Sequence, residues 1–225
     1  MKTPHELHSR LLTAHPWHGI SPGDPASSVT VYVEIVPTDT VKYELDKETG
    51  HLRVDRPQLY SSQPPSLYGF VPQTYCGDSV AARSAERSGK ERLRGDGDPM
   101  DVCVLSEKAF AHGGFLLRAR PIGGLRMIDG DEADDKVVAV LDKDLGYGTI
   151  RDLPDAPRGV IDRLQHYFLS YKQIPGAGPR KVEIAEVYGR DEAVEVLRRS
   201  IEDYRKTFGA PEERLRRLQA LLGEG

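Results

Sequence analysis

The sequence predicts one α+β domain, in which a small β-barrel or sheet carries helices on its surface. Residues 29–141 contain several short segments in which apolar and polar residues alternate, as in strands, whereas residues after 155 show helical spacing. A run of strands followed by a run of helices is typical of this class. With 225 residues, of which 38% are hydrophobic, the chain can bury one substantial core. We therefore assign residues 1–225 to a single domain.

The strands are predicted from alternation and turn chemistry. Residues 1–28 are rich in proline and glycine and are expected to form an irregular N-terminal arm. Alternation begins at Val29 and continues to Ile35. Residues 41–45 and 51–54 flank the turn sequence Asp-Lys-Glu-Thr-Gly, which predicts a hairpin. Further strands are expected at residues 101–105, 115–120, 124–128 and 136–141.

The helices are predicted mainly in the last third of the chain. Residues 77–95 form a basic insertion that we expect to be an exposed loop or short helix. Residues 155–172 carry apolar side chains at helical spacing. Asp191 is the predicted N-cap of a helix that ends at Phe208, before Gly209, and Pro211 is expected to open another. Residues 190–225 are thus a predicted C-terminal helical extension.

Composition argues against several classes of protein. The chain has 31 Lys and Arg against 35 Asp and Glu, a formal net charge of −4, which does not suggest a nucleic-acid binder. The longest apolar run, residues 137–141, is too short to span a bilayer, and residues 1–10 lack the apolar core of a signal peptide. With only two cysteines, Cys76 and Cys103, we expect a reduced, cytoplasmic chain.

The strongest chemical signal is a cluster of three carboxylates in residues 96–101, which read Asp-Gly-Asp-Pro-Met-Asp. Gly97 and Pro99 bend the chain, so that Asp96, Asp98 and Asp101 can converge. Crowded carboxylates need a neutralising partner, and a hard divalent cation fits oxygen ligands. The simpler alternative is an acidic turn before a strand. An EF-hand loop would need glycine in the place of Asp101, and an aspartyl-phosphate enzyme would need an apolar strand before the acids.

A second acidic cluster and several separate cations could complete such a site. Residues 129–135 contain five acids between two predicted strands, a pattern that is also typical of a solvated hairpin tip. Lys42 and Glu44 share one face of a strand, because alternate residues point the same way. Acids that can hold metal ions, together with scattered Lys and Arg, suit a phosphate anion that carries metal ions. The remaining cationic or neighbouring candidates are Arg56, Lys136, Tyr171 and Lys172.

These residues resemble a family I (soluble) inorganic pyrophosphatase. The hexapeptide at 96–101 fits the family's Asp-Gly-Asp-Pro-hydrophobic-Asp signature. Collinear matches run from about residue 15 to 172, and they include residues 15–20, 42–44, 54–56, 68–74, 120–136 and 166–172. The resemblance implies a five-stranded OB-like β-barrel with flanking helices. It also implies hydrolysis of pyrophosphate to two orthophosphates, with three to four Mg²⁺ per active site and a metal-activated water as nucleophile.

The resemblance also implies a role for each site residue. Asp98 would be the general base, and Asp96, Asp101, Asp129 and Asp134 would hold metal ions. Glu44 and Tyr68 would line the site, and Glu34 would be a candidate for an outer metal position. Pyrophosphate would be bound by Lys42, Arg56, Lys136, Tyr171 and Lys172. Six acids against four cations leave the predicted site at −2 without metal ions, which would repel pyrophosphate.

The chain departs from the family pattern in places, and other functions remain open. Pro64 stands where the family often has a tyrosine, and the 77–95 insertion and the C-terminal helices exceed the family's shortest forms. The resemblance implies a homo-oligomer, and both hexamers and dimers occur in the family. The alternatives are a metal-dependent phosphohydrolase that acts on nucleotides or polyphosphate, and a non-catalytic OB-type nucleic-acid binder. The predicted acidic groove and the 7% aromatic content disfavour the binder, and we expect neither nucleic-acid nor membrane partners.

Overall fold

The computed structural model describes residues 13–172, 178, 181–210, 213, 216 and 220. These residues contain eleven strands, three α-helices and one short 3-10 turn at Leu153–Asp155. The helices are α1 (Asp78–Ser88), α2 (Arg158–Ser170) and α3 (Arg190–Phe208). The strands are β1 (Gly23–Asp24), β2 (Ser28–Ile35), β3 (Val41–Leu45), β4 (Leu52–Pro57), β5 (Leu67–Phe70), β6 (Arg94–Gly95), β7 (Asp101–Leu105), β8 (Phe115–Asp129), β9 (Glu132–Ala133), β10 (Lys136–Leu141) and β11 (Val182–Gly189).

Five of these strands close into a mixed barrel. The order is β2-β5-β7-β10-β8, and β8 pairs back with β2. All neighbours are antiparallel except β7 and β10, which run parallel. Strands β3 and β4 form the predicted hairpin as a separate two-stranded sheet. The predicted α+β class, with a five-stranded OB-like barrel and flanking helices, is therefore confirmed.

The core has two sides because successive residues of a strand point in opposite directions. In β10, Val137 and Ala139 join an apolar cluster that includes residues of α1 and α3. Val138 and Val140 join a second cluster, against residues of α2. Strand β10 is buried on both sides, so that Asp134, Asp135 and Lys136 at its start are held by a rigid element.

The structure corrects three sequence-based expectations. Residues 115–120 and 124–128 belong to one strand, β8, which continues through Pro121 and pairs with β10 across a bulge between Val138 and Ala139. Asp191 is not the N-cap of α3: it lies in the first turn, and Asp152 accepts the Arg190 N–H at 2.8 Å. The last third of the chain is not purely helical, because β11 pairs with β8.

The arm and the insertion both pack against α3. In the part of the arm that the structure describes, Trp17 is buried, donates to the Thr74 carbonyl at 2.8 Å and contacts Phe208 of α3 edge-on. The basic insertion contains helix α1, one of the two predicted forms. Residues 1–12 of the arm and most of the helix expected from Pro211 lie outside the described residues. No described helix has the length and apolar character needed to cross a membrane.

Candidate active site

The acidic loop at residues 96–101 is shaped by glycines and by main-chain hydrogen bonds. A Cβ on Gly95 would lie 2.0 Å from the Cys76 carbonyl oxygen, so no larger residue fits there without a shift. Gly97 has a φ of 75°, a left-handed conformation that glycine adopts readily. The Asp98 N–H donates to Asp96 Oδ1 at 2.9 Å, and the Asp98 carbonyl accepts from Cys76 at 2.8 Å. The loop thus holds its acids at the start of β7.

The buried Lys136 links the two predicted acidic clusters. Its ammonium contacts the carboxylates of both Asp101 and Asp134, and the residue is only 3% exposed. Burial by itself lowers the pKa of Lys136, but Asp101 and Asp134 outweigh burial and raise that pKa well above its ordinary value. Parallel pairing sets this arrangement, since Lys136 is the register partner of Asp101. One charge therefore serves two carboxylates.

Asp96 lies close enough to this group to feel its charge. Burial, followed by repulsion from Asp134, raises the pKa of Asp96 to about 8. Burial is also the main cause that raises the pKa of Asp134, against the opposing effect of Lys136. Three neighbouring carboxylates with one buried ammonium are short of positive charge, which is the condition that a bound cation relieves.

Tyr68 and Glu34 extend the site towards the barrel. The Tyr68 hydroxyl donates to Asp101 Oδ2 at 2.6 Å. Burial and the charge of Asp101 raise the pKa of Tyr68 well above its ordinary value, so the hydroxyl keeps its proton. Glu34 is buried and accepts the Leu45 N–H at 2.7 Å, while burial and then Asp101 raise its pKa to about 8. Both side chains therefore favour their protonated, uncharged forms in the cleft.

The β3–β4 hairpin forms one wall of the cleft and brings three predicted residues to it. Lys42, Glu44 and Arg56 lie on its paired strands, with Lys42 directly opposite Arg56. Asp55 joins the two cations: Lys42 Nζ is 2.8 Å from Asp55 Oδ2, and Arg56 Nε is 3.9 Å from it. The hairpin thus presents two half-exposed cations without a rigid buried partner.

Lys47 is a candidate site residue that the sequence reasoning did not select. It belongs to the turn of the hairpin, and its ammonium contacts Asp98 Oδ1. Residues 46–50 were interpreted only as turn chemistry, and no local pattern indicates that the turn reaches the loop at 96–101. Lys47 lines the same cleft as Glu34, Lys42, Glu44, Tyr68, Asp98 and Asp101.

Asp129, Tyr171 and Lys172 form the opposite edge of the site. Lys172 Nζ is 2.7 Å from Asp129 Oδ2 and 5.4 Å from the centre of the Tyr171 ring. The charge of Lys172 also acts on Asp134, and Tyr171 acts on Lys136, which places this edge beside the buried cluster. All twelve predicted site residues are therefore grouped around the cleft at Asp101 and Lys136. They are linked to it by direct contact, by electrostatic interaction or by strand pairing in the β3–β4 hairpin.

The carboxylates have the donor chemistry of a hard-cation site, although here they contact ammonium groups. Among the described residues, no group of three or more His, Cys, Asp or Glu side chains is placed to hold a metal ion. Lys136 contacts Asp101 and Asp134, Lys47 contacts Asp98, and Lys172 contacts Asp129. Oxygen ligands of this kind, with excess negative charge, fit Mg²⁺.

Most of the positive charges of the basic insertion are paired within the chain. Arg83 contacts Glu192, Arg87 contacts Glu186, and Lys90 Nζ is 2.6 Å from Glu183 Oε1. Arg94 contacts Asp131 and Glu132. Four of the five cations in residues 77–95 are thus paired with acids of the same chain, which weakens the sequence feature that favoured a nucleic-acid binder.

Comparison with known proteins agrees with this geometry. The family model for inorganic pyrophosphatase matches residues 31–205, well over half of the chain. The inorganic pyrophosphatase of Chlamydia trachomatis serovar L2 is 52% identical over 203 residues, which cover 88% of this chain and 97% of that protein. The soluble inorganic pyrophosphatase of Oryza sativa subsp. indica is 38% identical over 212 residues, covering 89% and 88% respectively.

Solved structures show the same relationship. The inorganic pyrophosphatase of Thermus thermophilus superposes with a TM-score of 0.70 at 29% identity, covering 86% of this chain and 99% of that one. The enzyme of Helicobacter pylori superposes with a TM-score of 0.68 at 32% identity, covering 83% and 98%. With the family model and close relatives in agreement over most of its length, this chain belongs to the inorganic pyrophosphatase family.

Proposed function

We propose that this cleft hydrolyses inorganic pyrophosphate to two orthophosphates by direct attack of water, with Asp98 as the general base. The observation that carries the proposal is the shortage of positive charge around Asp96, Asp101 and Asp134, which share the single buried ammonium of Lys136. A cleft of this kind accepts a polyanion only when cations accompany it.

The acids that would hold Mg²⁺ are Asp96, Asp101, Asp129 and Asp134, and three to four ions per site match the charge to be neutralised. Bound Mg²⁺ would supply charge neutralisation and a lowered pKa for a coordinated water. The same lysines that contact these carboxylates, Lys136 and Lys172, are the groups we assign to phosphate oxygens. Their ammonium groups lie at the cleft whether they contact carboxylates or phosphate oxygens. Substrate binding is therefore expected to need little rearrangement of the backbone.

The chain's own groups account for the proton and for the leaving group. The water oxygen forms a bond to one phosphorus, the bridging P–O bond breaks, and the water proton passes to Asp98. Lys42, Arg56 and Tyr171, together with the two lysines above, stabilise the charge that develops on the phosphate oxygens. Tyr68 holds Asp101 in place through its 2.6 Å hydrogen bond, and Glu44 lines the cleft beside Lys42.

The test is Mg²⁺-dependent phosphate release by the wild type, Asp98→Asn and a control, Asp131→Asn. Loss of a general base is expected to lower kcat by about 10²- to 10⁴-fold. Asp98 is 41% exposed in its side chain, so its substitution is expected to leave the melting temperature nearly unchanged. Asp131 is an acid of the second loop that pairs with Arg94 at its exposed tip, and its variant is expected to keep full activity.

Two results would contradict the mechanism. Full activity in Asp98→Asn would remove Asp98 as the base. A trapped aspartyl-phosphate would replace direct attack by a two-step reaction, whereas incorporation of labelled oxygen from water with inversion at phosphorus supports one step. Comparing release from pyrophosphate, ATP and tripolyphosphate tests the substrate.

We further propose that the enzyme is cytoplasmic and works as a homo-oligomer, without nucleic-acid or membrane partners. Both cysteines, Cys76 and Cys103, are buried free thiols, which suits a reducing compartment. Sedimentation equilibrium distinguishes a monomer from a dimer or a hexamer.

A further inference from the structure

A second charged network lies behind the active site and is centred on Arg126. Arg126 is a residue of β8 and is fully buried. Its Nη2 lies 2.6 Å from Glu192 Oε1 and 3.6 Å from Asp135 Oδ2, and its Nη1 lies 3.3 Å from Glu186 Oε2. One guanidinium therefore faces carboxylates from the residue before β10, from β11 and from α3. We call Arg126 with these three acids the Arg126 hub.

Helix α1 of the basic insertion holds the hub from outside. Arg83 donates to Glu192 through Nε at 3.0 Å and Nη2 at 2.5 Å, and Arg87 contacts Glu186. The two arginines are four residues apart and so lie on one face of the helix. With Arg126 they match the three acids in number, so the hub with its outer arginines is neutral.

The hub also reaches the aromatic ring of Tyr188. The Arg126 guanidinium carbon lies 5.0 Å from the centre of the Tyr188 ring, and the Tyr188 hydroxyl donates to Asp135 Oδ2 at 3.2 Å. Asp135 is thus held on one carboxylate oxygen by a hydroxyl and a guanidinium. Asp135 itself is buried, with 2% of its surface exposed.

Asp135 stands between two residues of the active site. Asp134 and Lys136 are its chain neighbours, and in an extended segment alternate side chains point to opposite sides. Asp134 and Lys136 contact each other in the cleft, whereas Asp135 points into the hub. Fixing the side chain of Asp135 therefore fixes the side towards which Asp134 and Lys136 point.

We propose that Arg126 is a positioning residue of the active site, and that the Arg126 hub, braced by α1, sets the cation affinity of the cleft through Asp135. The inference rests on the proposed function, because it assigns Asp134 to a metal ion. Partners that orient metal ligands from behind typically contribute 10- to 100-fold to metal affinity or activity. The basic insertion then acts as a support for the site rather than as a docking surface.

The test is the binding of Mn²⁺, used as a probe for Mg²⁺, by titration calorimetry without pyrophosphate. The main variant is Arg126→Lys, which keeps the charge but loses the planar fork that faces three acids. If Arg126 influenced the cleft only through its charge, Arg126→Lys would leave the Mn²⁺ affinity unchanged. The hub predicts Mn²⁺ binding at least fivefold weaker, and a smaller loss overturns the proposal.

A second variant separates positioning from charge by the sign of the effect. Arg126→Met removes a cation near the site, so electrostatics alone predicts tighter Mn²⁺ binding, whereas the hub predicts weaker binding. If Arg126→Met does not fold, Arg126→Lys decides alone. Asp144→Asn is the control: Asp144 accepts the N–H groups of Glu107 at 2.9 Å and Tyr147 at 2.8 Å but contacts neither the hub nor α1, so its variant is expected to lower the melting temperature without changing Mn²⁺ affinity.

The proposed function and the hub fail in different ways. If the wild type releases no phosphate from pyrophosphate, the proposed function is wrong whatever Mn²⁺ does. If the wild type is active and Arg126→Lys binds Mn²⁺ within fivefold of it, the function stands and the hub is wrong.

Discussion

Replacing Lys136 by methionine is expected to make the stability of the protein depend on a divalent cation. Lys136 is 3% exposed and its ammonium contacts two carboxylates, Asp101 and Asp134. Methionine has a similar length and no charge, so the main loss is electrostatic. Without metal ions, the variant leaves the partly buried Asp96, Asp101 and Asp134 with no nearby cation of comparable contact.

The size of the effect follows from the burial of the charges. Removing one partner of a buried ion pair typically destabilises a protein by about 3–5 kcal/mol. The carboxylates can take up protons, as the raised pKa of Asp96 at about 8 indicates, which keeps the loss near the lower end. For a chain of this size, about 3 kcal/mol lowers the melting temperature by roughly 6–12 °C.

The assay is thermal unfolding of the wild type and Lys136→Met in EDTA and again with excess Mg²⁺. Ions that bind the folded state stabilise it by about 2.7 kcal/mol at a hundredfold excess over the dissociation constant. Mg²⁺ is expected to narrow the gap between the proteins, because it supplies the charge that the variant lacks. Lys108→Met is the control, since the Lys108 side chain is 80% exposed and its one ion pair among the described residues is with its neighbour Glu107.

Two outcomes would refute this reasoning. Equal melting temperatures in EDTA would mean that Lys136 does not neutralise the buried acids. An equal rise of both proteins with Mg²⁺ would mean that the cation and Lys136 act on separate carboxylates. Phosphate release by Lys136→Met is expected to fall even where stability is restored, because its contact with substrate is lost.

Three further predictions concern residues around the site. Asp203→Asn is expected to cost about 1–2 kcal/mol, measured by urea unfolding, because the buried carboxylate accepts N–H groups of Gly77, Ser79 and Val80 at the start of α1. The pKa of Glu34 is about 8 in the folded state, above its unfolded value. Its contribution to the free energy of unfolding is therefore present at acid pH and is lost as pH rises to about 8. In EDTA, stability should therefore fall between pH 5 and 8 by less in Glu34→Gln than in the wild type; equal slopes would contradict this. Gly95→Ala is expected to lower phosphate release at least tenfold with a folded core, because its Cβ would lie 2.0 Å from the Cys76 carbonyl and displace the acidic loop; unchanged kinetics would show that the loop tolerates the shift.

Four of the five barrel strands and both strands of the hairpin could be predicted because their signal is local, whereas the barrel strand β5, only four residues long, was not predicted as a strand. Alternation in β2, β3 and β4 and the apolar runs of β7 and β10 depend on which face each residue buries, which the sequence records directly. Strand β11 begins with apolar Val182 and Ile184 on either side of Glu183, but the helical patterns on either side led the region to be interpreted as helical. The break predicted inside β8 falls at Pro121 and the two glycines after Ile122, which the bulged pairing with β10 accommodates.

The site could be predicted in part for the same reason. The acids at 96–101 are close together in the sequence and could be recognised as a cluster. The residues distant in sequence were assigned to the site through the resemblance to a known family. Lys47 was missed because its role depends on how far the hairpin reaches across the cleft. The hub was missed because Arg126 meets Glu186 only through the register of β8 and β11, and Glu192 only through the packing of α3.

Two charged networks meet at the start of β10, and they differ in net charge. This difference distinguishes the supporting role of the hub from the chemical role of the cleft. Asp135 belongs to a network in which three acids are matched by three arginines, so the hub has no net formal charge to attract a ligand. Asp134 faces a cleft in which six predicted acids meet four predicted cations. Lys47 reduces the formal excess to one negative charge, and Glu34 adds little to it because its pKa is raised to about 8. Buried ion clusters of either kind shift pKa values, so a shift alone does not identify an active site. The cleft requires a cation because its carboxylates carry more negative charge than its lysines and arginines neutralise. The neutral hub behind them keeps these carboxylates in place.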